Sequence, residues 1–165
     1  MAPLNLYDIG VTPLIRTLNA LSAILKKAET HANDQGIPHS ELLEARIAPD
    51  MAALPFQIQS MSNSAKFIPV RIAGVQNLPM EDNEKTFAEL QARITKTLEF
   101  LNAVKREDFD GKDGIEVTVR DLKMTALDYL TTGALPNFYF HATTAYDILR
   151  MKGVNIGKKD FLGVQ

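Results

Sequence analysis

Apolar residues recur at steps of three and four in four long runs of this chain, so each run reads as an α-helix with one buried face. Leu14, Leu18, Leu21, Leu25 and Ala28 form the first stripe. Thr12 and Pro13 suit a cap and first helical position, a turn through Leu6 to Val11 leads in, and Asn33 to Gly36 ends the helix. Ser40 suits the cap of a short piece through Glu44. Met51, Leu54, Ile58, Met61, Ala65 and Ile68 form the second stripe, with Pro55 kinking it or marking its effective start. Phe87, Leu90, Ile94, Leu98 and Leu101 form the third, within a helix predicted from Asn83 to Lys105, and Thr86 and Glu89 have capping-box spacing.

The period then changes to two. Ile115, Val117 and Val119 alternate with Glu116, Thr118 and Arg120 after a turn-rich stretch, which predicts a short strand with Leu122 to Thr125 as its hairpin partner. Thr125 and Asp128 suit the start of a short helical turn. The fourth long helix is predicted from near Pro136 to Gly153, and Ile156, Phe161 and Leu162 are placed to dock the tail. No repeat or low-complexity linker interrupts the chain, so residues 1–165 read as one domain. The economical fold is all-α: an antiparallel four-helix bundle with a small β-hairpin inserted before the last helix.

Composition narrows the function classes. A net charge of −2 with mixed signs gives no footprint for nucleic acid or anionic lipid. No run approaches the roughly 18 apolar residues of a membrane span, and no signal peptide is legible. The absence of cysteine excludes disulfides, thiolate metal sites and a thiol nucleophile, and fits a cytoplasmic protein.

The chemistry concentrates in the fourth helix. Phe138, Ala142, Ala145 and Leu149 share its core stripe, and His141 falls on the margin. That histidine is either a ligand or general base in a pocket, or a core residue bonded to a neighbouring carbonyl or hydroxyl. On the second helix Asp50, Gln57 and Ser64, seven apart, form a polar row that either lines a cavity facing His141 or touches solvent; Gln59 points elsewhere, to solvent. Phe140, Thr144 and Met151 make a further row, for the hairpin or another subunit. His31 and His39 read as exposed loop residues, and Gly157-Lys158-Lys159-Asp160 as a solvated basic turn rather than a phosphate loop.

The run Pro136-Asn137-Phe138-Tyr139-Phe140-His141, with Thr144-Ala145-Tyr146, Ile148-Leu149-Arg150, Gly153, Ile156-Gly157-Lys158 and Asp160 to Gly163, resembles the C-terminal signature of DUF1993. That family is a domain of unknown function placed in the DinB/YfiT-like superfamily. Pro55 to Ile58, Phe87 to Leu90 and Arg93-Ile94 are similar to it too. The resemblance implies a four-helix bundle, often dimeric, of a type associated with metalloenzymes. Better-known relatives hold nickel or zinc with one histidine from the second helix and two from the fourth, four apart. Some of those relatives are thiol-dependent transferases or isomerases. Here His141 matches one position, but Ala145 stands four later, Asn137 four earlier, and Gln57 occupies the second-helix position.

One imidazole and one amide make a poor divalent site, so no tightly held metal and no cofactor are expected. The leading expectation is a small organic molecule bound in a closed apolar pocket near His141. In a cofactor-free isomerase, cyclase or lyase His141 would be the acid/base, with Gln57, Asn137, Tyr139, Tyr146 and Asp50 toward substrate. Two alternatives stand beside it: a non-catalytic homodimeric bundle, and a metal-dependent hydrolase or transferase with a degenerate site.

Overall fold

In the computed structural model, which describes residues 4–164, the four apolar stripes become the four long helices around which everything else is arranged. A short helix α1 (Leu6–Gly10), capped by Asn5, leads into α2 (Thr12–Gln35), whose Leu14, Leu18, Leu21, Leu25 and Ala28 are fully buried. Gly36 takes the left-handed conformation (φ 63°) that ends α2, as a residue without Cβ does most readily. The short helix α3 (His39–Leu43) follows.

Helix α4 (Leu54–Ile72) begins three residues later than Met51, with Pro55 in the first turn, where its missing N–H costs nothing. Met51 and Asp50 therefore lie in the preceding loop, and Asp50 is exposed. Helix α5 (Phe87–Asn102) is shorter than its predicted span. Thr86 holds an extended conformation and caps it: Glu89 N–H donates to Thr86 Oγ1 at 3.2 Å and Thr86 N–H to Glu89 Oε2 at 3.0 Å. The residues before Thr86 are used for packing instead, as described below. A 3₁₀ turn (Arg106–Phe109) then leads to the hairpin, β1 (Glu116–Val119) against β2 (Leu122–Thr125), antiparallel with Val117 opposite Met124.

The fourth helical segment starts earlier than Pro136. Thr125 caps a one-turn helix α6 (Ala126–Asp128), which continues without interruption through a π-helical turn (Tyr129–Ala134) into α7 (Leu135–Met151). Leu135 N–H donates to Leu130 O, five residues back. Proline at 136 supplies no N–H and its ring crowds the carbonyl four residues earlier, so a wider turn just ahead of it relieves both problems. Helix α8 (Lys158–Leu162) returns the tail to α2, where Arg16 Nε donates to Leu162 O at 3.0 Å and Lys27 pairs with Asp160 at 2.5 Å.

Helix α4 packs against α5 and α7, and α2 against α5 and α7, around a core that includes Phe87, Phe138, Leu90, Ile94, Met61 and Leu21. Cross-links between α4 and α7 run in opposite directions along the two helices, Gln57 to His141 and Ser64 to Asn137, so this pair is antiparallel. Among the described residues no helix is long and apolar enough to cross a membrane.

Two histidines differ from expectation. His31 lies inside α2, partly buried, and His39 opens α3, partly buried, edge-on to Phe87 at 5.2 Å and bonded to Asn33 at 2.9 Å.

Candidate functional site

The α4–α7 seam carries the chemistry. Gln57 is buried on α4, and its Nε2 donates to Ala52 O at 2.8 Å, in the loop that enters the helix. That bond fixes the amide so that Oε1 faces α7, 2.8 Å from His141 Nδ1. A carbonyl oxygen only accepts, so Nδ1 carries the ring proton and Nε2 is left with a lone pair. Among the described residues His141 has no further hydrogen-bond partner and no buried side-chain nitrogen or oxygen lacks one, so Nε2 reaches the surface. Burial of the ring pushes its pKa below the ordinary 6.5, because desolvation disfavours the imidazolium. A neutral imidazole with an open Nε2 can accept a proton or a hydrogen bond.

Two aromatic rings flank the imidazole edge-on, Phe56 at 5.8 Å and Phe140 at 5.2 Å, and both are about half exposed. Thr144, placed by its spacing in one row with Phe140 and Met151, is in fact buried, its hydroxyl donating to Phe140 O at 2.8 Å. Asn137, one turn before His141, donates to Ser64 Oγ at 2.7 Å. The structure thus brings Gln57 to His141 and Ser64 to Asn137. It does not bring in Asp50, which sits in the exposed loop, nor the two tyrosines: Tyr139 packs edge-on to Phe138 at 5.2 Å and Tyr146 to Phe161 of the tail at 5.8 Å.

The Ser64–Asn137 pair stands on the wall of a cleft of about 590 Å³, between α4, the hairpin and the π-helical turn. Phe67, Leu122 and Met124 give it apolar walls. Arg71 and Tyr129 give it a polar end: Arg71 Nη1 donates to the Tyr129 hydroxyl at 2.9 Å, and its guanidinium lies 4.6 Å from the Phe67 ring centroid and 5.2 Å from that of Tyr129. His141 is not on this wall; it lies one helical turn beyond Asn137. The cleft is open and lies beside the imidazole rather than around it. Sequence reasoning missed Arg71, whose local signal is Phe67 four residues earlier on α4, and Tyr129 of the π-helical turn.

The second missed cluster is structural. Arg93 on α5 is buried and donates to Ser62 Oγ at 2.6 Å, Asp82 Oδ1 at 2.7 Å, Glu84 Oε1 at 2.8 Å and Asn63 Oδ1 at 2.9 Å. Gln59, expected in solvent, is buried and donates to Glu84 Oε2 at 3.0 Å. Lys66 is buried too, its Nζ donating to Leu78 O at 2.9 Å. These contacts pin the segment between α4 and α5.

The family profile of DUF1993, a domain of unknown function, matches residues 6–162. The chain belongs to the DUF1993 family. A crystal structure of a DinB family member protein from Shewanella denitrificans is 36% identical, with a TM-score of 0.92 over 97% of this chain and 93% of that one. No curated protein matches the chain. The DinB-like likeness raises the question of a metal, and the donor set in this DUF1993 chain does not fit one. At the seam His141 supplies a single imidazole whose one hydrogen-bond partner is the neutral Gln57 amide, the positions four residues either side of it are Asn137 and Ala145, and among the described residues no three His, Cys, Asp or Glu side chains cluster.

Proposed function

We propose that this DinB-like protein is a cytoplasmic four-helix-bundle protein that binds a small organic molecule in the cleft between α4, the hairpin and the π-helical turn. The observation that carries this reading is the combination of apolar walls from Phe67, Leu122 and Met124 with converging polar groups at Arg71–Tyr129 and Ser64–Asn137. A π-helical turn forms one wall, and such turns are frequent at functional sites. His141, one turn away, is the group able to exchange a proton near neutrality. In a cofactor-free isomerase, cyclase or lyase it would be the acid/base, held in one tautomer by Gln57.

Gly133 makes a clean test. It lines the cleft, has no left-handed φ, and a Cβ added there meets nothing within 4 Å. Gly133→Phe therefore adds a bulky side chain at the cleft wall, with its Cβ in open space. A fragment screen by protein-observed NMR is expected to give hits that shift Met124 and Thr132 and vanish in Gly133→Phe. Hits that persist in the variant, or that map to other surfaces, would refute the reading.

A second reading has its own observation. Phe56 and Phe140, half exposed around His141, form an apolar face suited to a second copy of the chain. Light scattering would then report a dimer that Phe140→Ser converts to a monomer.

A further inference from the structure

We infer that the cleft is a site for an organic acid, its carboxylate seated on Arg71 and its apolar body against Phe67, Leu122 and Met124. This rests on the reading of the cleft as a small-molecule site and adds the chemical class of the ligand.

Arg71 and Arg120 both line the cleft, and no Asp or Glu does. Neither arginine has a carboxylate within ion-pair distance among the described residues. Other clefts of this molecule mix the two signs: that bordered by Phe56 is lined by Arg46 and Lys85 together with Glu44 and Glu84, and that beside α1 by Arg106 together with Asp110 and Asp113. On a chain of net charge −2, two guanidinium groups that share one concave surface without an ion-pair partner favour an anion.

Geometry then favours a carboxylate on Arg71. Its guanidinium carbon lies 4.6 Å from the Phe67 ring centroid and 5.2 Å from that of Tyr129, and one donor is spent on the Tyr129 hydroxyl, a neutral acceptor that leaves the charge in place. A guanidinium so fixed loses little side-chain freedom on binding and offers its remaining N–H donors as a planar fork, which matches the two oxygens of a carboxylate. The half-buried setting lowers the local dielectric and strengthens the pairing. Arg120 is exposed on the two-residue turn between β1 and β2 and adds charge at the cleft mouth.

The apolar walls supply the other half of the specificity. Leu122 is two-thirds exposed, and Phe67 and Met124 are partly so, which leaves apolar surface for a ring or short alkyl chain to cover. A bare inorganic anion would leave that surface wet.

The test uses the full chain and three matched pairs: phenylacetate, benzoate and hexanoate against their primary amides, with phenyl phosphate as a further probe. Binding is followed by NMR shifts of Met124 and Thr132 and by titration calorimetry. At least one acid is expected to bind tenfold or more tighter than its amide, and less tightly as ionic strength rises. Arg71→Gln is expected to reduce that acid to the affinity of its amide. Arg120→Gln, on an exposed turn where folding is not at stake, is expected to weaken the acid severalfold and leave the amide unchanged. Acids and amides that bind the cleft equally would overturn the anion assignment and leave the cleft as a small-molecule site. Phenyl phosphate binding tighter than every acid would overturn the choice of carboxylate. Failure of every probe to shift the cleft resonances at millimolar concentration would overturn both readings.

Discussion

His141 Nδ1 donates to Gln57 Oε1 across 2.8 Å, and this one bond sets the chemical character of the α4–α7 seam. It works because Gln57 is itself held by Ala52 O at 2.8 Å, so the amide cannot turn its NH₂ toward the ring without losing a bond. The imidazole is thereby held in the tautomer with Nδ1 protonated and Nε2 open, while burial of the ring disfavours its cationic form.

Long-range ¹H–¹⁵N correlation at pH 8 is expected to show His141 as the Nδ1–H tautomer in the native protein. In Gln57→Leu the acceptor is gone, and the ring is expected to exchange between tautomers. Gln57→Glu replaces the neutral acceptor by a carboxylate and is expected to raise the histidine pKa, opposing the effect of burial. A native spectrum dominated by Nε2–H would contradict the network.

Burial also makes His141 a source of acid sensitivity. Its folded pKa lies below 6.5, so above that pH the ring is neutral in both states and contributes nothing to stability. As pH falls through 6.5 the unfolded chain takes up the proton first, and folding stability declines until the folded-state pKa is passed. Urea midpoints measured from pH 8 down to pH 5 are expected to fall in the native protein and to fall less in His141→Asn. The carboxylates of Asp8 and Asp160 act in a separate window: bonds from Arg106 and from Lys27, respectively, lower their pKa values, so their stabilisation is lost only as pH drops below about 3.8. Equal slopes between pH 8 and 5 in the two proteins would assign the acid sensitivity elsewhere.

The helical stripes were legible because period 3.6 is written in neighbouring residues: every apolar position read for α2 is fully buried, and so are Leu54, Ile58, Met61, Ala65 and Ile68 of α4. The hairpin was legible from Val117 and Val119 for the same reason, with period two. Buried polar residues were not. Gln59, Lys66 and Arg93 have the composition of a surface, and what buries them is the segment from Leu78 to Glu84 folding back, which has no local signature. Asp50 shares a row with Gln57 and Ser64 only if the helical period extends back past Leu54, where the helix in fact starts. The cleft was illegible because its walls come from α4, the hairpin and the π-helical turn, brought together only by the fold.

Arg93 illustrates what that hidden burial is worth. Its side chain is 1% exposed and meets Glu84 at 11% and Asp82 at 51%, so one partner is nearly buried and the other largely solvated. Removing the cation leaves Glu84 facing Gln59 alone and frees the loop that Arg93 holds through Glu81 O at 2.9 Å. Arg93→Ala is expected to cost about 3–5 kcal/mol in urea unfolding, the range for breaking a buried pair. Arg93→Lys keeps the charge but cannot serve Ser62, Asn63, Asp82 and Glu84 together, and is expected to recover only part of the loss. Hydrogen exchange of residues 79–85 should accelerate in both variants. A loss below about 1 kcal/mol in Arg93→Ala would mean the pair is no stronger than a surface one.

Arg120 separates stability from binding. It holds φ 55° on the turn between β1 and β2, in the left-handed region that costs a residue with a side chain roughly 1–2 kcal/mol. Glycine at that position removes the strain but makes the unfolded chain more flexible, at a cost of about 0.5–1 kcal/mol. Arg120→Gly is therefore expected to leave stability unchanged or raise it by up to about 1 kcal/mol. The same substitution removes a cation from the cleft mouth and is expected to weaken organic-acid binding severalfold. A side chain kept where glycine fits better, on the wall of a cleft, is the pattern of strain retained at a binding site. Chemical denaturation and calorimetry on one preparation decide the matter: a gain in stability with a loss of affinity supports the role given to Arg120, and a loss of stability with unchanged affinity would make the residue a part of the hairpin only.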